Sequence, residues 1–136
     1  MSTGVKQETS SGESVKITQG FNYEKRSFSG MACYRATSFF STPTLTDSRF
    51  RLISLKQNIT ASGQGYKSNG VGTYVNETSN ISPISNPVSG KKYPKLTGFV
   101  NFVSPNDGSA IGTRATLTYR RIDGTTTYTF SFPTTI

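Results

Sequence analysis

The stretch Ala115–Phe132, which reads ATLTYRRIDGTTTYTFSF, decides the fold class of this chain. Up to Tyr119 the apolar residues alternate with threonines, and from Tyr128 onward aromatic residues alternate with Thr and Ser. An alternation with period two places the apolar side chains on one face of a strand. Asp123-Gly124 lies between the two runs, and this dipeptide is a strong signal for the tight turn of a hairpin. The stretch therefore predicts a β-hairpin.

The rest of the chain repeats this pattern in shorter runs. A second hairpin is predicted at Gly65–Val75, with its turn at Asn69-Gly70. Further strands are predicted at Ser14–Gln19, Phe21–Ser29, Cys33–Phe40, Arg49–Ile59 and Lys95–Val103. Asp47 could also cap a helix through Arg49–Gln57, but the β-branched and aromatic content of this segment favours a strand. The Ser-, Asn- and Pro-rich segment Thr78–Gly90 predicts an extended loop.

Short strands without a convincing long helix predict an all-β fold. For a chain of 136 residues, this indicates a two-sheet antiparallel β-sandwich of jelly-roll-like form. The alternative is an OB-like β-barrel with extra strands. Residues 1–13 are small and polar and predict a disordered or partner-ordered N-terminal arm. Residues 14–136 then form a single β-sandwich domain.

The composition removes most of the chemical groups from which enzyme sites are built. The chain has no His, a single Cys (Cys33) and seven Asp and Glu residues. Histidine is the usual general base near neutral pH and the commonest metal ligand. Asp107 and Asp123 each precede a glycine, where an aspartate in a turn bonds its own backbone. The sequence therefore predicts a protein that is not an enzyme, with no catalytic residues, no metal site and no cofactor.

The charge of the chain is strongly positive. Fifteen Lys and Arg against seven Asp and Glu give a formal net charge of +8, which favours anionic partners such as nucleic acid or an acidic protein. The N-terminal residues lack the apolar run of a signal peptide, and no segment is apolar enough to span a membrane. The sequence therefore predicts synthesis in the cytoplasm, with the virion as the destination if the protein is a viral coat subunit.

Cations stand beside aromatic residues at several places, including Phe50-Arg51 and Tyr66-Lys67. Single-stranded nucleic acid is bound by this combination, because bases stack on rings while cations contact phosphates. In a strand, however, neighbouring residues point to opposite faces, so the same pattern also describes a ring in the core and a cation in solvent. The candidate nucleic-acid-binding residues are Tyr23, Lys25, Arg26, Phe28, Lys91, Lys92, Tyr93, Arg120 and Arg121.

Three functions fit a basic, Thr-rich β chain without catalytic groups. The first is a structural subunit that assembles into a homo-oligomer, such as a viral coat or other particle-forming protein with a positively charged face. The second is a single-stranded nucleic-acid-binding module. The third is a glycan-binding lectin or adhesin, in which loop tyrosines such as Tyr66 and Tyr93 would stack on sugar rings.

Overall fold

The computed structural model describes residues 2–105 and 110–136, and all the regular secondary structure within them is β. In chain order the strands are β1 (Ser2–Ser11), β2 (Val15–Phe28), β3 (Met31–Leu45), β4 (Phe50–Tyr66), β5 (Gly72–Ser85), β6 (Tyr93–Leu96), β7 (Phe102–Val103), β8 (Ala110–Arg121) and β9 (Thr127–Thr135). Among the described residues, no helix is long and apolar enough to cross a membrane. The turn predicted at Asp107 lies outside the described residues.

The two predicted hairpins are both present. Strands β8 and β9 are antiparallel, with Leu117 opposite Phe130, and the turn closes where the Gly124 N–H donates to the Arg121 carbonyl at 3.2 Å. In the β4–β5 hairpin the Lys67 N–H donates to the Val71 carbonyl at 2.8 Å. The segment Arg49–Gln57, for which a helix was the alternative prediction, lies in β4 from Phe50 onward. The prediction of a strand is therefore confirmed.

The prediction of an extended loop at Thr78–Gly90 is wrong as far as Ser85, because β5 continues to that residue. Thr78 pairs with Thr60 of β4, and the register shifts around Pro83, which lies in a bulge. Bulges accept a proline that a regular ladder excludes. Apart from Val75, no residue of β5 is buried. An exposed strand has no apolar alternation, so its sequence resembles that of a loop.

The N-terminal segment also differs from its prediction. Instead of a disordered or partner-ordered arm, Ser2–Ser11 form the edge strand β1, which pairs with β2 from Ser2 opposite Lys25 to Ser11 opposite Lys16. No side chain of β1 is buried. Backbone hydrogen bonds rather than side-chain packing hold this strand in place. The sequence did not predict the strand because a polar composition gives no information about backbone pairing.

The hydrogen-bonded strands form one sheet with the order β1-β2-β3-β7-β4-β8-β9, while β5 pairs with β4 and β6 with β3. Val103 of β7 pairs with Tyr34 of β3 and with Gly65 of β4, so it joins the two parts of the sheet. A Cβ atom at residue 65 would lie 2.0 Å from the Phe102 carbonyl oxygen, so this close approach requires a glycine. The all-β prediction is confirmed. The sheet is curled and antiparallel, a half-barrel, and a two-sheet sandwich is not confirmed.

The core lies on the concave side of the curled sheet. Its largest buried apolar residues are Phe21, Phe39, Ile59, Phe102, Ile111, Leu55 and Leu117. A buried glutamine ties β2 to the opposite strands, because Gln19 Nε2 donates to the Phe132 carbonyl at 2.5 Å while Gln19 Oε1 accepts from the Ala115 N–H at 2.6 Å. Gln57 Nε2 similarly donates to the Phe40 carbonyl at 2.9 Å, which ties β4 to β3. These bonds connect strands on opposite sides of the curl and fix the relative position of its two parts.

Candidate functional site

The first two predicted cations lie near the end of β2, beside the start of β1. Lys25 and Arg26 line an open depression of about 430 Å³ together with Ser2 and Ser27. Lys25 is exposed, whereas Arg26 Nη1 donates to the Ser68 carbonyl at 2.7 Å. Arg26 is therefore already engaged in joining the end of β2 to the turn of the β4–β5 hairpin.

The aromatic residues predicted beside these cations belong to the packed part of the molecule. Phe28 is only 7% exposed, and its ring stacks on the Tyr66 ring with 4.9 Å between centroids. The guanidinium carbon of Arg26 lies 4.7 Å from the centroid of the Phe28 ring. Tyr23 is half-buried and packs edge-on against Tyr34 at 5.3 Å. The rings of Phe28 and Tyr66 contact each other instead of presenting open faces to a base or a sugar.

The cations of the predicted Lys91-Lys92-Tyr93 motif both contact rings at the start of β6. Lys91 Nζ lies 5.2 Å from the centroid of Tyr93, and Lys92 Nζ lies 4.1 Å from that of Phe40. The Tyr93 hydroxyl accepts a hydrogen bond from the Val88 N–H at 2.9 Å. Each lysine thus covers an aromatic ring and keeps its charge at the surface.

Arg120 and Arg121 end β8 and point to opposite faces of the sheet. Arg121 Nε donates to Asp123 Oδ1 at 3.1 Å, and its guanidinium carbon lies 5.8 Å from the Phe50 ring centroid. Arg120 lies directly opposite Arg51 of β4 on the outer face. The Nε atom of Arg120 is buried and has no hydrogen-bond partner among the described residues. Of the two arginines, only Arg121 has an ion-pair partner among residues 2–105 and 110–136.

The structure divides the predicted residues between the two ends of β4. Arg26 contacts Ser68, two residues after the end of β4, whereas Arg121 lies opposite Phe50, the first residue of β4. Tyr93 packs against the same apolar cluster as Tyr119, at the Phe50 end. The predicted residues therefore divide into a group around Arg26 and a group around Arg121.

A second set of cations lies on the convex, outer face of β4 and β8. The register places Arg51 opposite Arg120, Lys56 opposite Thr116, and Asn58 opposite Arg114. The buried residues Leu55, Gln57, Ala115 and Leu117 occupy the alternate, inner positions of the same strands. Arg51, Lys56, Arg114 and Arg120 thus share one face, which we call the β4–β8 basic face.

The ion pairs of the described residues leave this face unneutralised. Carboxylates pair with cations elsewhere: Glu24 with Arg35 at 2.6 Å, Asp47 with Arg49 at 2.7 Å, and Asp123 with Arg121 at 3.1 Å. Glu77 accepts hydrogen bonds from the backbone N–H groups of Val100 and Asn101. Within residues 2–105 and 110–136, no cation of the β4–β8 basic face has an ion-pair partner.

Sequence reasoning found Arg120 but missed Arg51, Lys56 and Arg114 as members of one surface. Arg51 was visible only as a neighbour of Phe50 in the chain. Alternation along each strand could have placed these residues on outer faces, but it does not show which strands are neighbours. The antiparallel register of β4 and β8 brings together residues that are distant in the chain.

The single cysteine, Cys33, lies in a buried apolar cluster with Phe28 and Phe102. Burial raises the pKa of the Cys33 thiol, so this side chain is held in its protonated, less nucleophilic form. The part of the chain that the structure describes contains no group of three or more Cys, Asp or Glu side chains that could hold a metal ion.

No family model matches this chain, and no curated protein or solved structure matches it. A function must therefore be inferred from the geometry and the charge of this chain itself. Two surfaces are candidates for it: the exposed edge of β1 and the β4–β8 basic face.

Proposed function

We propose that the protein is a non-enzymatic structural subunit that self-assembles, as a viral coat or other particle-forming protein does. The observation that carries this proposal is the edge strand β1. This strand has 10 residues, pairs only with β2 and buries none of its side chains. Its other backbone edge pairs with no strand among the described residues, although part of β1 lies near β9 of the same molecule, and we propose that this edge accepts a second copy of the chain.

An open edge of this length is unusual in a protein that stays monomeric. Edge strands expose unpaired N–H and C=O groups, and monomeric proteins protect them with short strands, prolines or bulges. β1 is about twice as long as the commonest strand length. It contains no proline, and its pairing with β2 runs without a register shift. Of the usual protective devices only Lys6 and Glu8 are present, and their charges are opposite.

The sheet order offers a second edge of compatible character. It ends at β9, whose sequence TYTFSFPTT contains no charged residue, although Pro133 lacks an N–H and the Phe132 carbonyl already accepts from Gln19. Thr, Tyr and Phe favour the extended backbone. A strand that adds to an edge gains main-chain hydrogen bonds, while its side chains select the partner. Two different edges on one subunit permit head-to-tail contacts, which close into rings or shells when the rotation between copies allows it.

The test is size-exclusion chromatography with light scattering on the purified chain, with absorbance read at 260 and 280 nm. We expect a discrete oligomer for the wild type. Val5 of β1 is 57% exposed, and Val71 at the tip of the β4–β5 hairpin is 53% exposed, so they form a matched pair. Val5→Lys places a charge on the β1 edge and should reduce the oligomer to smaller species, whereas Val71→Lys should assemble as the wild type does.

Thermal melting of both variants separates assembly from folding. Neither valine is buried, so the melting temperature of dilute, unassembled protein should stay close to that of the wild type in both cases. A wild-type monomer over a wide concentration range would overturn the proposal. Assembly of Val5→Lys at wild-type strength would show that β1 is not the contact.

A further inference from the structure

We propose that the β4–β8 basic face is a binding site for the phosphates of single-stranded nucleic acid, with the rings at the end of these strands as its base-stacking element. The inference extends the proposed particle-forming function, since such a face could hold a nucleic-acid cargo. It does not depend on assembly, because a monomer carries the complete face.

The opposed pair Arg51 and Arg120 is the strongest observation for this site. Directly opposite residues of an antiparallel pair have Cβ atoms about 5 Å apart, and like charges in this position are destabilising. Neither arginine has a carboxylate partner among the described residues. A phosphate between the two guanidinium groups would neutralise both charges and accept their N–H donors.

Further along the same two strands, the outer face supplies more donors. Lys56 and Arg114 line an open depression of about 350 Å³ in the outer face, together with Asn58, Asn80 and Thr116. Arg114 Nη1 donates to Ser131 Oγ at 3.3 Å, which holds the guanidinium over the sheet without neutralising it. Amide, hydroxyl and guanidinium groups are the usual contacts to phosphate and sugar oxygens. The face is open rather than enclosed, as a site for a polymer has to be.

The aromatic cluster at the end of the same strands favours a single strand over a duplex. The rings of Phe50, Tyr119 and Tyr128 lie 5.6–6.1 Å from one another and line a depression of about 130 Å³ with Glu13 and Ser14. Tyr128 is 43% exposed. Unpaired bases stack on an exposed ring such as that of Tyr128, whereas the bases of a duplex are already stacked on each other.

The rings and the arginines are adjacent along the chain. Phe50 precedes Arg51 and Tyr119 precedes Arg120, so each strand ends with a ring on the inner side and a cation on the outer side. A polymer that passes over this end of the sheet can contact both. An acidic polypeptide would use the arginines but would gain nothing from the rings, and for this reason we favour nucleic acid.

The experiment is a fluorescence-anisotropy titration of fluorescein-labelled oligothymidylate with the protein from about 50 mM to about 200 mM salt. Neutralising four phosphates of a single strand predicts a slope of log K against log salt of about −3. The variant Arg51→Gln/Arg120→Gln should lower the affinity about tenfold and reduce the slope by about 1.4. Arg51→Lys/Arg120→Lys keeps the charge and should keep most of the slope.

The control variant Lys6→Gln/Lys67→Gln removes the same charge from β1 and from the hairpin turn. We expect it to bind nearly as the wild type does. Equal losses in both double variants would show that only the net charge matters and would overturn the site. Displacement of the oligonucleotide by polyglutamate at equal charge concentration would indicate an acidic protein partner instead.

Two further measurements keep the outcome interpretable. Removing the opposed arginines relieves a repulsion, so the melting temperature of Arg51→Gln/Arg120→Gln should not fall. If this variant does not fold, the lysine variant and a Tyr128→Ala variant still test the site, since Tyr128→Ala should weaken binding while it leaves the salt slope unchanged. The Val5→Lys protein should bind the oligonucleotide whether or not it assembles, so failure of the assembly proposal and failure of this site are distinguishable.

Discussion

Strands β1 and β4 bury very different amounts of side chain, and β1 pairs along one edge whereas β4 pairs along two. Both pair with antiparallel neighbours along their lengths. In β4 the inner positions, among them Leu55 and Ile59, are buried while the outer ones are exposed; in β1 no residue is buried. Hydrogen bonding is therefore enough to form a strand, whereas burial determines how much that strand stabilises the fold.

The comparison also separates two kinds of surface. β4 presents a cationic outer face and an apolar inner face, so its side chains define both core and candidate site. β1 contributes chiefly a backbone edge. Substitutions in β4 should therefore change stability or ligand binding, and substitutions in β1 should change association between copies.

The largest expected effect is a loss of stability when a buried residue of β4 is truncated. Leu55 is completely buried, so Leu55→Ala should lower the free energy of unfolding by about 3 kcal/mol through lost apolar contact and a cavity. Val5→Ala in β1 should change it by less than about 0.5 kcal/mol. Urea unfolding of dilute protein measures both. Equal losses would show that β1 is packed against apolar surface after all.

A smaller loss of stability is expected when the contact between the β1 and β2 backbones is disturbed. A Cβ atom at Gly20 of β2 would lie 2.1 Å from the Lys6 carbonyl oxygen and 2.9 Å from the Gln7 Cα, so Gly20→Ala must displace the β1 backbone. We expect a loss of about 1 kcal/mol. Amide-exchange protection should fall in β1 and remain in β4.

Gly72 at the start of β5 is the matched control for Gly20. A Cβ atom there would meet nothing within 4 Å, so Gly72→Ala should be neutral or slightly stabilising through the unfolded chain. If Gly20→Ala leaves the protection of β1 unchanged, the two strands approach each other less closely than the structure shows.

The smallest effect concerns the turn that leads into β4. Hydrogen bonds from the Arg49 guanidinium, at 2.7 and 3.0 Å, lower the pKa of Asp47 from 3.8 to about 2. A lowered pKa in the folded state adds stability above pH 4 that is lost as the pH falls through about 2. The melting temperature of the wild type should exceed that of Asp47→Asn slightly at pH 7, and the difference should vanish near pH 2. A difference of the same size at both pH values would contradict this role for the charge.

How far the sequence predicts this fold depends on the burial of each segment. The hairpin around Asp123-Gly124 was predictable because its inner residues, such as Leu117, alternate with threonines. β1 and most of β5 were missed because exposed strands carry no such alternation. The single strand predicted at Lys95–Val103 is wrong in its middle part, because the structure has two short strands there, β6 and β7. The bridging role of Val103 could not be predicted from a strand of only 2 residues.

The candidate site was predictable only in part. Arg120 was identified from a local Tyr-Arg-Arg pattern, and its partner Arg51 lies far away in the chain. Phe28 was proposed as a stacking ring from the same kind of local pattern, and it is buried against Tyr66. A cation beside a ring in the sequence does not reveal which of the two faces solvent.

The amino-acid sequence alone determined the all-β class, the two hairpins and the excess of positive charge, because strand periodicity, turn dipeptides and composition are local properties. Only the tertiary structure decided that the strands form one curled sheet, that residues 2–11 occupy its edge, and that Arg51, Lys56, Arg114 and Arg120 share the outer face of β4 and β8. These features depend on strand order and register. Both are set by contacts between residues far apart in the chain, which no local pattern encodes.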